Sequence, residues 1–177
     1  MITYREQDYD PQGPIREHPY KGAEYDEGVE YYDFQQHPEL IREKLEDFKT
    51  HDSHKGIQRF YDLLEWINSD ESELESNDCA FHPPKDNIST NTSPKKLECK
   101  GRLMIFYRHL PINLNPEATQ WLLEATNQYL QHTDPEFRDG VYGLSFMDSG
   151  FVALNKQVGR ELVLQFWVFG DTEEETL

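Results

Sequence analysis

The sequence predicts an α+β fold: an antiparallel sheet of about four strands in the order β-α-β-β-β, preceded by a helical hairpin and packed against one crossover helix. Three observations carry this expectation. Windows near residues 40 and 60 repeat apolar side chains at helical spacing, a third does so after Asn115-Pro116, and the rest of the C-terminal half consists of short β-prone runs parted by turn residues. At 177 residues the chain suits one domain with extensions, so it divides into an arm over 1–36, a domain over 37–170 and an acidic tail over 171–177.

The arm carries Pro11, Gly13, Pro14, Pro19, Gly22 and Gly28 among repeated acids, and no apolar period survives for a full element. It is expected to be irregular, yet its tyrosines, Tyr31 and Tyr32 among them, are frequent where disordered segments are depleted in aromatics. From Pro38 the pattern turns helical, with Leu40, Ile41, Leu45 and Phe48 on one face. A second helix is expected to start at Ser53 as N-cap. Its Ile57, Phe60, Tyr61, Leu64 and Ile67 form a stripe that Leu63 and Trp66 widen. Residues 68–98 read as an acidic polar link followed by a loop containing Pro83, Pro84 and Pro94.

Leu103-Met104-Ile105-Phe106-Tyr107 predicts the first strand. A helix over 116–131 follows, with Ala118, Trp121, Leu122, Ala125 and Tyr129 in helical register and Pro116 at its first position. Three strands are expected next, at 141–147, 151–154 and 162–169, with Asp148-Ser149-Gly150 as a tight hairpin turn. The last of these is apolar on both alternating faces, which predicts a central position in the sheet.

The net charge of −17 is unevenly placed: −6 over 1–36, −7 over 37–78, +4 over 79–110, and −4 in each of the two remaining segments. A body this negative repels polyanions, so direct nucleic-acid binding is not expected despite the lysines and arginines between 95 and 108. Those cations are expected to pair with the acidic helices. Two cysteines, the absence of a signal-like start and the absence of a long apolar run predict a cytoplasmic protein without a membrane partner.

No motif for phosphate, calcium, zinc-protease or serine-hydrolase chemistry is present. Cys79, His82, Cys99 and His109 are of zinc-ligating type, but their spacing lacks two tight ligand pairs, so no metal or other cofactor is expected. His51 and His54 could face one ion but lack a third ligand.

What stands out is acidity. Glu39, Glu43, Glu46, Asp47, Asp62 and Glu65 on the helices, with Asp70, Glu71 and Glu73 in the link, are expected to form a negative surface rimmed by Tyr31 and Tyr32. This predicts a non-enzymatic binding protein that neutralises a basic protein, such as an immunity protein against a nuclease-type toxin or an anti-defence nucleic-acid mimic; it assigns no catalytic residue. Two alternatives are weighed beside it: a small hydrolase using residues 76–82 with 82–96 as a lid, and a subunit of a larger assembly.

Overall fold

The computed structural model describes residues 2–6, 16–18, 34, 36–44, 54–88, 91–132 and 139–177. The elements in chain order are β1 (Ile2–Glu6), β2 (Arg16–His18), α1 (Leu40–Lys44), α2 (Lys55–Asn68), β3 (Leu74–Asp86), β4 (Leu97–Tyr107), α3 (Pro116–His132), β5 (Gly140–Phe151), β6 (Gln157–Gly170) and α4 (Glu173–Thr176). The expected α+β class is observed. The sheet runs β1-β5-β6-β4-β3, with β2 also on β5, and β5, β6, β4 and β3 are antiparallel to one another in turn. The two-faced apolar strand, β6, does lie at the centre.

Register sorts the side chains by face. Leu103 and Ile105 of β4, Leu144 of β5, and Leu162 and Leu164 of β6 share one face. Against it pack Ile57, Phe60, Tyr61, Leu64 and Ile67 of α2 and Leu122 and Leu123 of α3, in one buried cluster that also takes Ile41 of α1. Burying each such side chain stabilises the fold by about 1.5–3 kcal/mol. Phe60, Phe81 and Phe166 meet there with ring centroids 5.1–6.4 Å apart. Gly101, opposite Phe166 in the register, has to be glycine because a Cβ would run into that ring. On the opposite face Phe106 and Phe151 are buried with His18, whose ring lies 4.4 Å from Phe106. Fully buried Glu161 accepts from Asn77 Nδ2 at 3.1 and 3.3 Å on that side.

Three expectations require correction. The supposed link and loop over 68–98 contains β3, thirteen residues long and paired with β4. Its polar side chains conceal it because it is the sheet edge, where backbone pairing suffices. Pro83 and Pro84 fall within a register shift between His82 and Lys85, where a missing N–H breaks no ladder bond. Asn68 anchors its start by donating to Ser76 Oγ at 2.8 Å and accepting from the Ser76 N–H at 3.1 Å.

Second, Asp148-Ser149-Gly150 is not a turn: β5 continues through it, paired with Gly159 and Arg160, and the chain reverses after Val152–Leu154. Asn155 and Lys156 take the left-handed conformation there (φ 56° and 61°), a geometry asparagine tolerates well. The expected strand at 151–154 is therefore a strand end and a 3-10 turn, and among the described residues two strands follow α3. Third, parts of the arm are not irregular, since β1 and β2 run parallel to β5 along its outer edge. A sheet edge accepts any extended segment through its free backbone groups, so no apolar alternation is needed.

The helices agree with expectation in place and differ in detail. His54 caps α2, its Nδ1 accepting from the Gly56 N–H at 3.2 Å; Ser53 lies outside the described residues. Among the described residues no helix is long and apolar enough to cross a membrane.

Candidate interaction surface

The helix layer covers one sheet face and turns its other side outward. On α2 the expected stripe was too wide: Leu63 is 40% and Trp66 50% exposed, while Leu64 and Ile67 are buried. Asp62 precedes Leu63, and the turn after the helix carries Asp70, Glu71 and Glu73, all exposed.

That turn is tightly specified. The Ser69 N–H donates to Trp66 O at 3.1 Å and the Ser72 N–H to Ser69 O at 3.2 Å. The Glu71 N–H donates to Ser69 Oγ at 3.3 Å, and the Leu74 N–H to Ser72 Oγ at 3.0 Å. Arg108 of the segment after β4 clamps it from below, donating from Nη2 to Ser69 O at 2.7 Å and from its N–H to Glu73 O at 2.9 Å. Its Nη1 stands 3.7 Å from the fully exposed Asp70 carboxylate. Carboxylates on a preformed turn lose little conformational entropy on binding.

The helical carboxylates are less available. Arg42 of α1 reaches across to α2, donating from Nε to Glu65 Oε1 at 2.6 Å, from Nη2 to Asp62 at 2.8 Å and from Nη1 to Gln58 at 2.9 Å. The hydrogen bond it donates to Glu65 holds its guanidinium still more firmly protonated than usual. Within α2, Asp62 and Glu65 are matched in number by Lys55 and Arg59. Glu39 is exposed, 3.3 Å from His37 Nδ1, and Glu43 is exposed. Glu46, Asp47, Tyr31 and Tyr32 lie outside the described residues. Beyond the end of α2, the turn over 70–73 presents three exposed carboxylates, with Arg108 3.7 Å from that of Asp70.

Among the described residues, the lysine ion pairs of the middle segment lie away from α1 and α2, while Arg108 stands near Asp70 of the turn. Lys95 Nζ meets Asp171 at 2.8 Å, Glu175 at 3.7 Å and Asp139 at 3.9 Å, which ties the chain before β4 to α4 and to the start of β5. Lys95, through its hydrogen bond, holds the Asp171 carboxyl below the usual carboxylate range. Lys85 stands 3.6 Å from buried Glu98.

The groups considered for catalysis or metal binding are dispersed into the structure. Ser76 is buried against Asn68, Cys79 Sγ donates to Asn77 O at 3.4 Å, and Cys99 Sγ donates to His82 O at 3.0 Å. Burial pushes the Cys99 thiol up to about 12. Among the described residues no three His, Cys, Asp or Glu side chains come together to hold a metal ion.

Sequence reasoning named the acids of the turn but missed its aromatic component. The missed signal was the helix period itself, since Leu63 and Trp66 fall outside the 57, 60, 61, 64, 67 series and widen the apolar arc beyond what one sheet face can cover. The chain matches no family model, no curated protein and no solved structure.

Proposed function

We propose that this protein is an acidic binding protein that docks and neutralises a basic protein, of the kind represented by a nuclease-type toxin or a nucleic-acid-binding defence protein. One observation carries the reading: half-exposed Leu63 and Trp66 lie toward the end of α2, which leads into a hydrogen-bonded turn bearing the exposed carboxylates of Asp70, Glu71 and Glu73, with Arg108 3.7 Å from that of Asp70. Tryptophan is the side chain most enriched among residues that dominate interface energy, and surrounding charge selects and steers the partner. Carboxylates on the turn would occupy positions where a nucleic-acid-binding partner receives phosphates.

The test is affinity capture from the cells that express the chain, followed by stopped-flow association with the recovered protein. The reading predicts one strongly basic partner whose association rate falls steeply with added salt. Recovery of no partner, or of one whose association ignores salt, contradicts it.

A further inference from the structure

A second surface, away from the acidic turn, has a different charge order. An open groove of about 530 Å³ lies between the first two turns of α3 and strand β6, lined by Pro116, Glu117, Gln120, Trp121, Glu124 and Arg160. Glu117, Trp121 and Glu124 are at positions i, i+4 and i+7, one face of the helix, so the indole sits between two carboxylates. Trp121, grouped by its spacing with Leu122, is 64% exposed, because α3 buries the side that carries Thr119, Leu122 and Leu123. Gln120 Nε2 braces the Glu124 carboxylate at 3.1 Å. Across the groove, the Arg160 guanidinium lies over the Phe146 ring at 5.4 Å. The cross-strand register partner of Arg160 is Asp148.

From this geometry we infer that the groove receives the C-terminal residue of a partner polypeptide when that residue is arginine or lysine. An aromatic face flanked by two carboxylates attracts a guanidinium or ammonium group, and the indole is the strongest ring for this purpose. Arg160, half-buried over the Phe146 ring, lines the groove and supplies a complementary donor fork for a carboxylate. Within a polypeptide, a cationic side chain and a carboxylate occur on one residue only at the C-terminus, and the groove has single-residue dimensions. The inference rests on the reading of the chain as a binder of basic proteins, but it concerns a separate site with its own ligand.

Its test uses small probes on the full chain, so it is independent of partner capture. Indole N–H signals of 15N-labelled protein are followed by NMR, with Trp121→Phe assigning the reporter, during titration with Nα-acetylarginine, Nα-acetylargininamide and acetate. The Trp121 signal should shift saturably with Nα-acetylarginine and about fivefold more weakly with the amide, which lacks the carboxylate. Acetate should leave it unmoved. Arg160→Gln should abolish the difference between the two arginine probes, and Glu117→Gln/Glu124→Gln should remove binding at an unchanged Tm. No saturable shift, equal affinity for acid and amide, or binding retained in the double variant would overturn the inference. Successful titration without a captured partner would defeat only the proposed function; capture without titration would defeat only this site.

Discussion

Cys99 has no exposed surface and its thiol is pushed up to about 12 by burial, so it should be inert while the protein is folded. Iodoacetamide at pH 8 should modify Cys99 only as fast as the chain unfolds, as read by peptide mass spectrometry; rapid native-state labelling would show the thiol is accessible. The sign of its linkage follows. Unfolded chains ionise this thiol at its ordinary value while the folded state keeps it protonated, so this contribution to stability falls as pH rises from about 9 toward 12. Asn68 makes a sharper case. Replacing it with alanine strands the buried Ser76 N–H and hydroxyl, and should cost about 2–4 kcal/mol in urea unfolding, since each buried polar group left unsatisfied costs roughly 1–3. Gly101→Ala should cost about 1–3 kcal/mol by pushing the Phe166 ring off β4. A neutral result for either would mean that the local contact is replaceable.

Among elements, α1 is the one held least by burial. Ile41 is its only described side chain in the core cluster, and Arg42 joins it to α2 through solvent-accessible ion pairs. Arg42→Gln should therefore change global stability by under about 1 kcal/mol, while amide exchange in residues 40–44 rises. Unchanged exchange there would show that Ile41 alone anchors α1. The same contrast between burial and surface bonding explains what could be read in the sequence. α2, α3 and β6 were legible because burial imposes a period on them, as in Ile57, Phe60, Tyr61, Leu64 and Ile67. β3 was not, because an edge strand is specified by backbone pairing and by Asn68, and Glu75-Ser76-Asn77 carries no alternation to detect. The β5–β6 turn was misplaced because Asp148-Ser149-Gly150 has turn composition, while its Ser149 and Gly150 are buried in the ladder. Of the candidate surface, the acids were legible as composition; their partial cancellation by Arg42 depends on a contact between helices that spacing does not encode.

For the molecule as a whole, sheet edges and charge are both managed by position. One edge carries β3 with its prolines at an irregularity, and the other is occupied by β1 and β2, so edge-to-edge association of copies is disfavoured. Lys95 gathers Asp139, Asp171 and Glu175 at the far end of the sheet, away from the turn over 70–73 that follows the exposed Trp66. The long-range field of −17 attracts cations from every direction, but productive docking needs a place where charge and an apolar anchor coincide. The most direct measurement is the association rate of the captured basic partner, between about 20 and 300 mM salt, for the wild type and for Asp70→Asn/Glu71→Gln/Glu73→Gln. The account predicts a fall of roughly tenfold or more with salt for the wild type, and a slower, flatter profile for the triple variant at an unchanged Tm. Identical profiles for the two proteins would contradict it.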